Sequence, residues 1–115
     1  MEVNIRIPNI DILTPDINIK TVEINEGEYK YRCQIQTIKN FLQVSLFSGN
    51  ILKHQGTIHL SKIQNQIYAL ADYTINEIFE EINLLNIDKF SLTKDGNKYK
   101  LKIEFVILRR KKIYI

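Results

Sequence analysis

The segment Gly56–Leu85, GTIHLSKIQNQIYALADYTINEIFEEINLL, restricts the possible folds of this chain more than any other. It predicts a strand that runs directly into two capped helices. Ser61-Lys62-Ile63-Gln64 opens the first helix and Thr74-Ile75-Asn76-Glu77 the second. Both have the form of a capping box, in which a hydroxyl accepts from a backbone N–H three residues on and Gln or Glu reaches back. Ile63, Ile67 and Leu70 recur at helical spacing in the first, and Ile75, Ile78, Phe79, Ile82 and Leu85 in the second. Glu77, Glu80 and Glu81 take the polar side of the second, near the positive helix start.

The sequence on either side alternates with period two, as strands do. Val3, Ile5 and Ile7 form a short strand that Pro8 ends. With Pro15 following, residues 8–19 read as an extended segment hugging a sheet edge, since proline cannot donate to a central ladder. The expected division is thus an N-terminal segment, 1–19, packed on a domain of 20–115. Val22 and Ile24 lead into the turn Glu26-Gly27-Glu28, and Tyr29, Tyr31, Cys33 and Ile35 alternate with Lys30, Arg32, Gln34 and Gln36. Lys39-Asn40 is a turn, Leu42, Val44 and Leu46 form the next inward set, and Ser48-Gly49-Asn50 is another turn. Residues 51–60 return, with Gly56 read as a bulge or bend. After the helices, Phe90 and Leu92 rise to Asp95-Gly96, a type I′ turn signal, and Tyr99, Leu101, Ile103, Phe105 and Ile107 descend. Short turns make successive strands antiparallel. The expected fold is α+β, mainly β: a small antiparallel β-barrel or sandwich with a helix-turn-helix, 61–86, inserted before the C-terminal hairpin.

A chain of 115 residues is one domain. Its single cysteine, Cys33, rules out an internal disulfide and points to a reducing compartment. No basic leader precedes an apolar core, and the longest apolar run, Phe105–Leu108, falls far short of the about 20 residues that span a bilayer. The reading is a cytoplasmic protein without membrane insertion. The apolar ending Ile113-Tyr114-Ile115 suggests that more chain follows. Charge is divided unevenly: Glu2, Asp11, Asp16, Glu23, Glu26 and Glu28 crowd the head, whereas Lys98, Lys100, Lys102, Arg109, Arg110, Lys111 and Lys112 crowd the tail.

Cys33 is a candidate nucleophile if His54 or His59 lies beside it, but its place in an alternating apolar row makes it a buried small hydrophobe. His54 and His59 are five apart, which sends them to opposite faces of an unbroken strand. No metal-ligand spacing, glycine-rich phosphate loop or nucleophile elbow is present, so no cofactor, metal or enzyme activity is expected. Lys98, Lys100 and Lys102 share a strand face and continue into Arg109–Lys112, a set fit for a phosphate backbone or an acidic partner. Tyr99 and Phe105 fall on the opposite face, so stacking support is weak, and a solvated face, or protection of an exposed or edge strand against aggregation, is preferred over nucleic-acid binding. Phe41 and Phe47 share parity with Gln43 and Ser45 on the wet face, and an aromatic there, with the Gly49-Asn50 turn, is a candidate interface anchor.

The run from Val22 to Ile107 resembles the N-terminal head domain shared by end-joining DNA-repair scaffold proteins, the centriolar cartwheel protein and a basal-body coiled-coil paralogue. The matching pieces are GEYKYRCQIQ, NFLQVSLFSGNILKHQGTIHL, SKIQNQIYALADYTINEIFEEINLL and KFSLTKDGNKYKLKIEFVIL, and the spacing GEY…LQV…GTI…TINEIF is most like the basal-body paralogue. The resemblance implies a small β-barrel or sandwich carrying a helix-turn-helix. It also implies a non-enzymatic structural protein of the cytoskeleton, centriole, basal body or cilium. Such heads form homodimers through hydrophobic loop or strand residues and sit on long coiled coils beside other assembly proteins. No heptad stretch is present, so that coiled coil is expected beyond Ile115, and residues 1–20 have no counterpart. The alternative is a nuclear DNA-repair scaffold or nucleic-acid-binding module using the basic cluster.

Overall fold

The alternating segments form seven strands among the residues that this computed structural model describes, 1–5 and 19–106. They are β1 (Glu2–Ile5), β2 (Ile19–Glu26), β3 (Tyr29–Ile38), β4 (Phe41–Ser48), β5 (Ile51–His59), β6 (Phe90–Asp95) and β7 (Lys98–Ile103). One sheet has the order β2-β3-β4-β5 and the other β1-β7-β6, with every neighbouring pair antiparallel. The inward residues of both sheets and of the helices form one core, from Val3 and Ile5 through Ile35, Val44 and Leu46 to Leu101 and Ile103. The mainly β, α+β sandwich expected from the pattern is thus what the chain forms. Ile7, Pro8, Pro15 and residues 8–18 of the extended segment lie outside the described residues, while Ile19 already belongs to β2; β1 is a true strand, laid along β7 from the far end of the sequence.

Two seams separate the sheets, and they differ. Between β1 and β5 the backbones touch: a Cβ built on Gly56 would overlap the carbonyl oxygen of Asn4 and lie 2.8 Å from its carbon. Gly56 pairs in regular register with Val44, so it is no bulge. The bulge falls at Leu46/Phe47, opposite Lys53, and Gly56 is required for close approach. Between β2 and β6 the seam stays open as a groove of about 370 Å³.

The helices follow β5. α1 (Leu60–Gln66) begins one residue before the expected box, because His59 rather than Ser61 caps it: the Ser61 N–H donates to His59 Nδ1 at 3.1 Å. The Leu60 N–H ties this start to the β3–β4 turn through Asn40 O, at 2.8 Å. α1 stops at Gln66, so Leu70 belongs to a 3-10 turn, Tyr68–Leu70. α2 (Ile75–Asn83) carries the expected box, with the Thr74 N–H donating to Glu77 Oε1 at 3.1 Å and the Glu77 N–H to Thr74 Oγ1 at 3.2 Å. Ile75, Ile78, Phe79 and Ile82 face the core. At its C-terminal end Lys20 Nζ donates to the carbonyls of Asn83 and Leu85, at 2.9 and 3.2 Å, where a cation meets the negative end of the helix.

Gly27, Gly49 and Gly96 each take the first central position of a two-residue hairpin turn with φ near +60°, and the second central residue does not. That is the type II′ arrangement. The last turn is therefore Gly96-Asn97, and the expected I′ turn at Asp95-Gly96 is corrected, since Asp95 closes β6. These three turns gather at the end of the sandwich opposite the helices, because Tyr31, beside the first, touches Tyr99, beside the last.

Candidate interaction surface

The hairpin end carries what the sequence singled out on β4. Phe47 is half-buried, with the Arg32 guanidinium 5.1 Å above its ring. Gly49 and Asn50 form an exposed tip, with open space around Gly49. Next to them Ile51 is 62% exposed, and Tyr29 at the neighbouring hairpin is 64% exposed. Sequence reading missed Ile51 and Tyr29, whose alternation assigned no exposure to the first residue of a strand. Phe41 does not join this group. It stands at the other end of β4, six residues or about 20 Å away, edge-on to His59 with ring centroids 4.8 Å apart. The four residues expected to form one anchor are therefore split, with Phe47, Gly49 and Asn50 on one side and Phe41 on the other.

The face they share is also not wet throughout. Residues 42–46 are all buried, Gln43 and Ser45 included. β4 is central in its sheet, and long cross-strand neighbours close over its outward side: Gln36 Nε2 donates to Gln43 Oε1 at 2.8 Å and Gln55 Nε2 to Ser45 Oγ at 3.3 Å. Amide pairing of this kind satisfies polar groups that would otherwise be costly to bury.

Beneath the hairpin tips the two sheets are joined by polar aromatics. The hydroxyls of Tyr31 and Tyr99 share a buried hydrogen bond of 2.9 Å, and that bond, with burial, pushes the Tyr31 phenol up to about 12. His54 packs on Tyr99 with centroids 4.6 Å apart. His54 faces in and His59 faces out toward Phe41, as their odd separation requires.

The remaining candidates do not converge. Cys33 is fully buried among apolar side chains, and burial alone pushes its thiol up to about 12. Among the described residues no three His, Cys, Asp or Glu side chains gather as a metal cluster. The open groove between β2 and β6 holds Glu23 and Asp88, each paired with a lysine, Lys30 at 3.0 Å and Lys89 at 3.9 Å. Lys98, Lys100 and Lys102 do share an exposed face of β7, but β7 lies between β1 and β6, so the edge-strand reading is overturned. On that face Glu2 stands opposite Lys102, Asp95 stands opposite Lys98, and Glu104 approaches Lys102 at 3.9 Å. Lys98 and Lys102 thus meet acids, while Lys100 stands opposite Asn4 and Thr93, so the face offers only a weak local field to a polyanion. Arg109, Arg110, Lys111 and Lys112 lie outside the described residues. No helix among the described residues is long and apolar enough to cross a membrane. Compared with known proteins, the chain matches no family model, no curated protein and no solved structure.

Proposed function

We propose that this domain is a non-enzymatic, self-associating head of a cytoskeletal assembly protein of the centriole or basal-body kind. The observation that carries the reading is the hairpin end, where Ile51 and Tyr29 stand exposed around the Gly49-Asn50 tip above the layer of Tyr31, Tyr99 and His54. Large side chains held on short turns lose little conformational entropy on contact and suit an interface anchor. The two-sheet sandwich with a helix pair between β5 and β6 supports the resemblance to coiled-coil head domains. Such a head would bring a second copy, and through it other assembly proteins, to a filament or cartwheel.

Sedimentation equilibrium over a concentration series tests the proposal. The wild type should show a dimer that Ile51→Glu and Phe47→Glu each weaken, because either places a charge in the contact. A wild type that stays monomeric throughout, or a dimer indifferent to both changes, removes self-association through this end.

A further inference from the structure

The chain has two histidines, and His59 is occupied in capping α1. His54 has no such task. The bulge opposite Lys53 resets the alternation of β5, so that Leu52 lies opposite Phe47 while His54 lies opposite Leu46 and turns into the gap between the sheets. There the ring rests on Tyr99, and its Nδ1 is buried without a hydrogen-bond partner. Its titratable and charged neighbours come from four strands. β7 supplies Tyr99, β3 supplies Tyr31 through the shared hydroxyl bond, and β6 supplies Lys94, whose Nζ stands 5.8 Å from the Tyr99 ring centroid. Its own strand supplies Lys53, and the two charges acting on the ring, Lys53 and Lys94, are both positive.

We propose that His54 is an acid-sensitive latch: the neutral ring holds the start of β5 against the second sheet, and the protonated ring leaves the gap and frees Ile51–Lys53. Protonation would place a charge in a partly desolvated gap, beside two cations and with no acceptor aimed at it. The ladder is already interrupted beside the ring by the bulge, and the turn before it is exposed, so this is where the strand yields most easily. Burial first, and then the two lysines, hold the ring below its ordinary value of 6.5. The open form titrates near that ordinary value. The latch is therefore fully held above about pH 6.5 and is lost as the pH falls below it, down to the midpoint of the closed form. Ile51 is central to the self-association surface proposed above, so the consequence, dissociation in acid, rests on that reading, whereas the latch itself does not.

Amide exchange, corrected for the intrinsic effect of pH on exchange rate, tests the latch at pH 7.5 and 5.5. Protection of residues 51–55 should fall in acid in the wild type, by at most about ten-fold. It should stay constant in His54→Phe, which keeps a ring on Tyr99 and cannot titrate. It should fall as before in His59→Asn, a good cap that removes the other histidine. Constant protection in the wild type, or a fall that persists in His54→Phe, overturns the proposal. NMR titration of the two ring Cε1 protons in the unmodified protein gives a check free of mutation: the His54 midpoint should lie below 6.5, and a midpoint at or above it overturns the latch. Sedimentation at the two pH values separates the two ideas. Loss of protection in a protein monomeric at both pH values leaves the latch standing and removes the self-association surface, whereas a dimer with unchanged protection does the reverse.

Discussion

Replacing Gly56 by alanine probes the contact that closes one seam of the sandwich. Gly56 has an ordinary strand conformation, without positive φ. If it were only a bend residue, alanine would reduce the entropy of the unfolded chain and stabilise the protein by up to about 1 kcal/mol. The structure predicts the opposite sign. The new methyl would overlap the carbonyl of Asn4, which is backbone and cannot rotate aside, so β1 and β5 must separate. Overpacking of this kind costs about 1–3 kcal/mol. The upper bound is release of β1, which exposes Val3 and Ile5, buried almost completely, at about 1.5–3 kcal/mol each. The expected loss is therefore about 1–6 kcal/mol. With unfolding entropy of about 0.24 kcal/mol/K for a chain of this length, that lowers Tm by roughly 4–25 °C. Urea unfolding gives the free energy, and amide exchange in β1 tells which remedy the chain takes: faster exchange at residues 2–5 marks a released strand. Gly49→Ala is the control, since it pays for a φ of +61° in open space and leaves β1 untouched. A Gly56→Ala protein as stable as wild type, or more so, would refute the close approach.

Two further outcomes follow from the buried groups. Tyr31→Phe strands the Tyr99 hydroxyl and should cost about 1–3 kcal/mol, while the double change Tyr31→Phe with Tyr99→Phe should cost less than the sum of the two single changes, because no donor is left unpaired. Additivity in urea unfolding of the four proteins would show that the bond between the sheets contributes nothing. Cys33 should react with a thiol reagent far more slowly in the native protein than in urea, because burial raises its pKa and blocks access to the sulfur. Rapid stoichiometric labelling of folded protein would contradict its burial.

Period and punctuation showed where strands and helices lie, but not which strands meet. β2 to β5 follow from short turns, and Thr74 with Glu77 announced α2 because the box is local. The place of β1 beside β7 is a pairing across almost the whole chain, and no alternation distinguishes it from a strand packed anywhere else. That single fact decides two others: it makes β7 central, so that its lysines protect no edge, and it sets Asn4 against Gly56. Burial on the outward side of β4 was hidden for a similar reason. Gln43 looks exposed by parity, and only its sheet neighbours close over it. The missed cap at His59 has a chemical cause, since imidazole nitrogen can accept from a helix N–H as a hydroxyl does, while the hydroxyl of Ser61 drew attention two residues away.

The two ends of the sandwich differ in how well they obey local rules, and that difference bears on function. At the helix end the polar groups have partners, although Tyr68, Leu84 and Ile87 stand exposed there: Lys20 meets the C-terminal carbonyls of α2, Gln66 accepts from the Glu2 N–H at 3.2 Å, and the carbonyl of Asn40 holds the start of α1. At the hairpin end the rules are broken within a few residues of each other, with a bulge opposite Lys53, an unpartnered Nδ1 on His54, an unpartnered Nε on Arg32 above Phe47, and exposed Ile51 and Tyr29. Natural chains keep such departures where a local cost is offset by something done there. A domain selected only to fold would gain stability by straightening the bulge and replacing Ile51 with a polar residue. On this argument, polar substitution of Ile51 should weaken self-association and, at a concentration where both proteins are monomeric, leave Tm unchanged or raise it; a polar Ile51 variant that lost stability as a monomer would place that side chain in the fold, not at a contact.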